Sequence, residues 1–472
     1  MNTAKQGMDR GTILALVAMA LGILIIANDF TALSVAIPDI ENDLDTTLTS
    51  AQWVINGYAL FFGVLIVTGG RLADMLGRKR MFMIGATIFA VFSIVGGLAP
   101  SIELLIVSRA LMAVGGALVW PSVLGMTYAI LPEDKAGLAG GLLLGVAGFG
   151  NAVGPLLGGL LTDVLSWRWV FFINVPIAVL GMLVTWRTVA ESKGDDVSRK
   201  IDYRGIVTLS LGLIALLLAL DNGPDEGWGD PLIVGLFCAS GLLLVAFGYL
   251  EPRAGEGALV PSDVLRTTQF TMAAFSVLLM SAIFFAALLY LPQFMTRILD
   301  FSALESGAGL LPMMLLFAAS SFTAGPLYNR LGPKLIVSIG AAALAVGMFM
   351  LSFLDANTEY IGLVPGMMVL GVGVGVFYSS ITTAGVTALD PSRSSLAGGI
   401  VYMCQIAGGA IGLGINTAIV TSSSELADGI SNAFFIDSLL AVAGLVIALI
   451  FVGGTVHLDR IAAMRTHHRA HA

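Results

Sequence analysis

The chain reads as an all-α polytopic membrane protein, with fourteen transmembrane helices forming two six-helix repeat bundles plus two inserted helices. Three observations carry that expectation. The 472 residues are 57% hydrophobic and 11% charged, against about 25% charged in an ordinary soluble domain. Apolar runs near the length that crosses a bilayer core, about 20 residues, follow one another along the chain. A segment near residue 70 also returns in altered form in the second half. It reads Gly70-Arg71-Leu72-Ala73-Asp74-Met75-Leu76-Gly77-Arg78-Lys79 first and Gly325-Pro326-Leu327-Tyr328-Asn329-Arg330-Leu331-Gly332-Pro333-Lys334 later.

The apolar runs cover 11–37, 50–69, 81–99, 104–128, 137–162, 168–187, 205–220 and 231–250, then 271–293, 306–325, 334–354, 361–387, 396–420 and 433–456. Lipid offers backbone amides no partner, so each run satisfies its own hydrogen bonds as a helix. The first run is too long for a cleavable leader and carries Asp29. With the N-terminus inside, all but three of the 23 basic residues fall on the cytoplasmic side. They include Lys5, Arg10, Arg71, Arg78, Lys79, Arg80, Lys135, Arg199, Arg253, Arg330, Lys334 and Arg393, with Arg460, Arg465 and Arg469 in the tail. Arg168 and Arg297 fall outside and Arg109 falls within the membrane. That bias supports an even number of spans and cytoplasmic termini in an integral, multi-pass protein of the cell (inner) membrane.

A second internal match strengthens the duplication. Lys135-Ala136-Gly137-Leu138-Ala139-Gly140-Gly141 corresponds to Arg393-Ser394-Ser395-Leu396-Ala397-Gly398-Gly399, and at the same offset Gly150 meets Gly408 and Gly154 meets Gly412. Spans 1–6 and 9–14 are then the repeat. The expected organisation is an N-terminal bundle at 1–190, a cytoplasmic linker with inserted spans 7 and 8 at 191–268, a C-terminal bundle at 269–456 and a tail at 457–472. Duplicated halves around a midplane site are the usual architecture of alternating access.

Composition also narrows the function. Cys238 and Cys404 sit in different spans, and His457, His467, His468 and His471 lie at or beyond the last one. No spacing suggests a metal site or a catalytic constellation, so neither an enzyme nor a metal or other cofactor is expected. The net charge of −8 reflects acidic residues in expected external loops, among them Asp39, Glu41, Asp43, Asp45, Asp225, Glu226 and Asp230, and gives no reason to expect a nucleic-acid partner.

Several segments carry a specific likeness. The loop beginning at Gly70 resembles the signature of the major facilitator superfamily. Asp29-Phe30-Thr31-Ala32-Leu33-Ser34-Val35-Ala36-Ile37-Pro38 in span 1 is similar to a motif of its fourteen-helix drug:proton antiporter branch, the multidrug efflux type. In span 5, Gly150-Asn151-Ala152-Val153-Gly154-Pro155-Leu156-Leu157-Gly158-Gly159 resembles that branch's antiporter motif. Trp167-Arg168-Trp169-Val170-Phe171-Phe172-Ile173-Asn174-Val175-Pro176 resembles the start of span 6, and Trp53 and Tyr58 in span 2 fit as well. The pattern departs in span 4. There the family's Arg-x-x-Gln-Gly-x-Gly reads Arg109-Ala110-Leu111-Met112-Ala113-Val114-Gly115, which puts coupling through span 4 in question.

Asp29 and Arg109 are the expected proton-coupling residues. A carboxylate within a span must face a cavity or a partner, and there it can hold either a proton or a cation. Asp29 lies nine residues before Pro38 and Arg109 eight after Ser101, which sets both roughly 12–14 Å from the outer ends of their helices. The resemblance implies that the two helices line one cavity. The bland alternatives are a packing hydrogen bond to Asn28 or a neighbouring helix for Asp29, and snorkelling to the outer surface for Arg109.

The gating expectation rests on Gly70, Asp74, Gly77, Arg78 and Lys79, which the resemblance makes a cytoplasmic latch. Asp74 is expected near the start of a helix, steadied by that helix's positive end and by Arg78 or Lys79. Gly150, Gly154, Pro155, Gly158 and Gly159 are expected to make a bendable span packed closely on a neighbour. Asn28, Gln52, Asn56, Asn151, Tyr290, Gln293, Tyr402 and Gln405 are candidate substrate contacts, with interhelical hydrogen bonding as the plain alternative. Asp437 is expected at the outer interface, with a second coupling carboxylate as the other reading.

The reading is a proton-coupled secondary exporter of small amphipathic molecules, cationic or neutral, working by drug/H+ antiport and driven by the proton gradient. The alternatives are a proton symporter or dedicated exporter of one endogenous metabolite or lipid, and a non-transporting membrane receptor or assembly partner.

Overall fold

The computed structural model describes residues 10–132, 135–194 and 200–453. The basic residues Lys5, Arg199, Arg460, Arg465 and Arg469, the four histidines and the expected tail lie outside them. Among the described residues all regular structure is helical. Fourteen helices are long and apolar enough to cross a membrane.

The first bundle contains α1 (Arg10–Ala32), α2 (Ile37–Asp43), α3 (Leu48–Leu76), α4 (Arg78–Gly97), α5 (Ile102–Ile130), α6 (Ala136–Val164), α7 (Arg168–Phe172) and α8 (Asn174–Thr188). The insert is α9 (Tyr203–Glu226) and α10 (Pro231–Leu250), followed by the short α11 (Ser262–Arg266). The second bundle contains α12 (Thr268–Arg297), α13 (Ala303–Gly309), α14 (Leu311–Leu331), α15 (Pro333–Leu351), α16 (Tyr360–Thr387), α17 (Ser394–Ser422) and α18 (Leu426–Phe451).

Helix starts follow local chemistry. Thr47 accepts from Ser50 N at 3.2 Å to open α3, Asp202 from Gly205 N at 2.9 Å to open α9, and Asp230 from Leu232 N at 2.8 Å to open α10. Ser302 and Glu305 form a reciprocal capping box at α13. The duplication is visible in the backbone. Gly77 between α3 and α4 and Gly332 between α14 and α15 take φ of 115° and 88°, a region that L side chains rarely adopt.

Packing follows the repeat. In the first bundle α1 lies on α6 and α8, while α5 fills the space between α3 and α4. The second bundle repeats this with α12 on α17 and α18, and α16 between α14 and α15. The halves meet along α6–α14 and α3–α17, which are equivalent pairs exchanged by the repeat. The insert sits beside the second seam. α9 packs on α10, α17 and α3, whereas α10 lies mainly on α9 and leaves Leu242, Val245 and Tyr249 exposed on its outer side.

Two boundaries change the chemistry expected of them. The apolar run ending at Leu220 continues as helix through Asp221 and Asn222 to Glu226, because Asn222 turns its amide back onto Leu218 O at 2.8 Å. The last span begins at Leu426 rather than near 433. Its first turns are polar, with Asp428 complementing the positive helix end, and hydropathy alone excludes them. Asp437 therefore lies mid-helix, 1% exposed, and not at the outer interface.

Candidate functional site: a buried ion pair, a latch and a cavity

Asp29 and Arg109 meet in the core of the first bundle. Arg109 Nη1 donates to Asp29 Oδ2 at 2.5 Å, and the two residues are 1% and 0% exposed. The equal depth expected from their spacing is what brings them together, and the burial excludes snorkelling. Asn174 of α8 donates to Asp29 Oδ1 at 3.0 Å and also reaches Ser93 Oγ at 3.4 Å. Arg109 Nε donates to Val54 O at 2.9 Å, and its guanidinium lies 4.1 Å from the Tyr58 ring centroid. Asn174 belongs to the segment that opens span 6, and nothing in its sequence neighbourhood shows that it faces α1. At the offsets of the repeated segments, 255 for the early one and 258 for the later one, the second bundle has Phe284 in place of Asp29 and Met367 in place of Arg109, both buried.

A second buried ion pair closes one end of the bundle. Arg78 Nε donates to Asp74 Oδ1 at 2.9 Å, Nη1 to Gly125 O at 3.2 Å and Nη2 to Pro391 O at 2.7 Å. Asp74 lies in the last turn of α3, not near a helix start as expected. The helix dipole it meets belongs to α17, whose first amides, Ser395 N and Leu396 N, donate to it at 3.3 and 2.8 Å. A Cβ on Gly70 would meet Ser395 O at 2.5 Å, so α3 and α17 touch backbone to backbone here. Lys79 binds Trp186 O and Val189 O at 2.9 and 2.8 Å, while Glu191 caps α4 through Lys79 N and Arg80 N, each at 3.0 Å. Gly77 makes room for the Glu191 side chain. A further pair joins Arg393 to Asp263 of α11, a contact the sequence reading did not contain.

The antiporter-like segment in α6 packs on α1. Cβ atoms on Gly150, Gly154 and Gly158 would meet Asn28 N at 3.2 Å, Thr31 Oγ1 at 2.1 Å and Ala32 O at 2.0 Å. Gly159 is buried beside them. Pro155 lies inside α6, near Gly307 of α13.

At the end away from the latch, a cavity of about 390 Å³ opens between α3, α9, α12 and α17. Phe30, Trp53 and Phe285 contribute aromatic faces, and Asn56, Asp221 and Thr417 polar ones. Asn56 Nδ2 donates to both carboxylate oxygens of Asp221 at 3.1 Å. Phe30 separates the cavity from the ion pair: its ring packs edge-on against Tyr58 at 5.6 Å, and Tyr58 underlies Arg109. Toward the latch, Tyr402 closes on Trp120 at 4.4 Å and on Phe62 at 5.5 Å.

The candidate substrate contacts therefore separate. Asn56 lines the cavity and Tyr402 joins the aromatic closure below it. Tyr290 lies one step behind the wall, bonded to Thr417 at 2.8 Å. Asn28 is buried against α6, Asn151 offers its carbonyl to Thr31 at 3.4 Å, and Gln52 is exposed. Gln52, Asn151, Gln293 and Gln405 do not line the cavity. Asp221 was missed because the apolar run stops one residue before it. Asp437 receives Asn416 Nδ2 at 3.2 Å on one oxygen, and its other oxygen has no hydrogen-bond partner.

A duplicated bundle of fourteen membrane-length helices, with buried charge inside it and a cavity along one inter-repeat seam, defines a membrane transporter and not an enzyme. The Major Facilitator Superfamily pattern matches residues 19–412 and again 273–467, and the chain belongs to that family. It is 33% identical over 471 residues to the puromycin resistance protein of Streptomyces alboniger, covering 98% of this chain and 92% of that one. The tetracenomycin C resistance and export protein of Streptomyces glaucescens is 30% identical, over 86% of this chain and 76% of that one. Among solved structures, the human organic anion transporter MFSD10 shares the fold with a TM-score of 0.63 at 13% identity, covering 93% of this chain and 99% of that chain.

Proposed function

We propose that the protein is a proton-driven exporter of small amphipathic molecules, exchanging drug-like substrates for protons by alternating access across the cell (inner) membrane. Both termini and the latch then face the cytoplasm, and the cavity faces outward. Residues 1–190 and 269–456 act as the two moving bundles, 191–268 as linker and insert, and 457–472 as a cytoplasmic tail. The relatives' resistance and export names support the substrate class.

The single observation that carries the mechanism is the Asp29–Arg109 pair, set one aromatic layer behind the cavity. With the latch closed, Asp29 is ionised and held by Arg109 and Asn174. A proton arriving from the outer cavity neutralises Asp29 and leaves the Arg109 charge buried without its carboxylate. That state is costly, so protonation drives a rearrangement that repositions α1 against α5. Motion of α1 is transmitted to α6, whose glycines lie on its backbone. It also reaches α3 through Val54 and Tyr58, and with them the two seams between the halves. On the cytoplasmic side, breaking the Asp74 and Arg78 contacts to α17 frees the substrate path. Release of the proton inward restores the pair and resets the cycle.

The test uses proteoliposomes with a trapped pH dye, comparing the intact protein with Asp29→Asn under an imposed proton gradient. Lipophilic cations and neutral drugs are added in turn. Substrate-triggered proton release in the intact protein, lost in the variant, is the expected result. Proton flux that survives the substitution would move coupling away from Asp29. Proton and substrate moving in the same direction would make the protein a symporter.

A further inference from the structure

We propose that Asp202 and Glu251 form a proton-binding site at the latch end of the insert, and that the proton they share sets how firmly the insert holds the latch. The side of the membrane and the benefit to transport rest on the exporter reading; the proton binding does not.

The site stands on two orphaned oxygens. Glu251, in the single turn that follows α10, is 3% exposed. Its Oε1 accepts from Val260 N at 2.6 Å, while its Oε2 is buried with no hydrogen-bond partner. Asp202 caps α9 through Oδ1, and its Oδ2 is likewise buried and unpartnered. Both orphans lie 2.6 Å from the point that a Cβ on Gly205 would take, so they are at most twice that distance apart. Two ionised carboxylates placed there repel, and neither oxygen gains a donor. A single proton removes both faults, because Glu251 Oε2 then donates to Asp202 Oδ2. The positive end of α9 favours leaving the negative charge on Asp202. Carboxyls that share a site give up their last proton at a higher pH than a lone carboxyl does. The cations at this place are Arg71 of α3, which acts on Glu251, and Lys200, which lines one small gap together with Asp202 and Arg71. Arg71 in turn lies within electrostatic reach of Asp74, Asp263 and Arg393.

This geometry leads to the latch. Val260, held by Glu251, is buried, and its neighbour Leu259 shares the gap with Arg71 and Met75 of α3. Three residues beyond Val260, Asp263 of α11 pairs with Arg393. Arg393 stands at the start of α17, beside the amides that bind Asp74 and the Pro391 carbonyl that takes Arg78. With the proton in place, the segment crossing from α10 to α11 is seated and the latch is held. When the cytoplasm turns alkaline the proton passes to water, the carboxylates push apart, and the hold on α17 loosens. An exporter that takes up protons is thereby slowed in an acid cytoplasm and released in an alkaline one.

Two measurements on the full-length protein in nanodiscs, without substrate or gradient, test the site. Infrared difference spectra between about pH 6 and about pH 8.5 read carboxyl protonation. The parent is expected to lose a protonated-carboxyl band that Glu251→Gln lacks. Gln keeps the bond from Val260 N and can donate to Asp202, so this variant mimics the protonated site at every pH. The second measurement reads the latch. Ser395→Cys, in a protein lacking Cys238 and Cys404, is labelled with a water-soluble maleimide. Its rate is divided by that of the same protein carrying Glu251→Gln, which cancels ionisation of the thiol. The ratio is expected to be near one at about pH 6 and to rise about threefold or more by about pH 8.5, since one proton allows up to about tenfold per pH unit. Asp202→Asn can donate to an ionised Glu251 and is expected to flatten the rise as well, which a merely structural role for Asp202 would not do. An infrared difference unchanged by Glu251→Gln, a ratio that stays level, or a rise that survives Asp202→Asn would overturn the assignment. Because neither measurement involves transport, failure of proton exchange in the vesicle assay leaves this result unaffected, and a negative result here leaves proton exchange standing.

Discussion

Removing one partner of the Asp29–Arg109 pair should be far more damaging than removing both. Asp29 and Arg109 are 0% and 1% exposed and 2.5 Å apart. The other contacts of Arg109 include the Val54 carbonyl and the Tyr58 and Phe171 rings, none of which is anionic. Unit charges about 4 Å apart attract by about 4 kcal/mol at an effective dielectric near 20. Orphaning one member of a buried pair commonly costs about 3–5 kcal/mol. The Tyr58 face returns at most about 2 kcal/mol to the stranded guanidinium. Asp29→Asn should then destabilise the fold by about 3 kcal/mol, and Arg109→Met by a similar amount. The double variant replaces the pair by a neutral amide and an apolar chain, so it should lie within about 1 kcal/mol of the parent. The assay is reversible unfolding in mixed micelles across all four proteins, with proton exchange measured alongside. A coupling energy of about 5–6 kcal/mol, in a double variant that is stable yet does not exchange protons, is the expected outcome. Effects additive to within about 0.5 kcal/mol would refute the pair as an energetic unit.

Other substitutions separate the remaining parts. Gly158→Ala places a Cβ 2.0 Å from Ala32 O, so α6 must move off α1. Overpacking of this kind costs about 1–3 kcal/mol, read as a lower unfolding midpoint with slower transport. Asp74→Asn removes the charge that holds Arg78 and receives the α17 amides. A cysteine placed at the buried Ser395, in a protein lacking Cys238 and Cys404, should then react faster with a water-soluble maleimide added from the latch side; unchanged labelling would mean that the latch does not hold that end shut. Asp437→Asn should change stability by less than about 1 kcal/mol, in contrast to Asp29→Asn, because Asp437 has an amide for a partner and its other oxygen is already unbonded. Unfolding in the same micelles checks it, and a loss as large as that of Asp29→Asn would point to a cation partner.

Much of this was legible in the sequence because the membrane imposes a simple rule: long apolar runs must be helices, and charges inside them must be reconciled. That rule, with the repeated glycine segments, is enough for fourteen spans and two related halves. Counting residues from helix ends was enough to set Asp29 and Arg109 at one depth. Hydropathy fails where a helix outlasts its apolar stretch. Asp221 was lost at the end of α9 for that reason, and Asp437 was misplaced because α18 begins among polar residues. The amides that meet Asp74 come from Ser395 and Leu396, more than three hundred residues away, and no local pattern announces them. The cavity has the same origin, since it exists where α9 settles beside the α3–α17 seam, and that choice is made by tertiary packing.

The pair of Phe284 and Met367, where a second acid and arginine would have made the bundles alike, has a consequence for how work is divided. Two bundles with the same ionisable pair would give a molecule whose response to a proton is the same in either half. Here one copy has lost that chemistry and kept only its shape. In the proposed cycle the first bundle is then the one that listens and the second the one that is leaned on, so a symmetric scaffold acquires a handedness in time as well as in space.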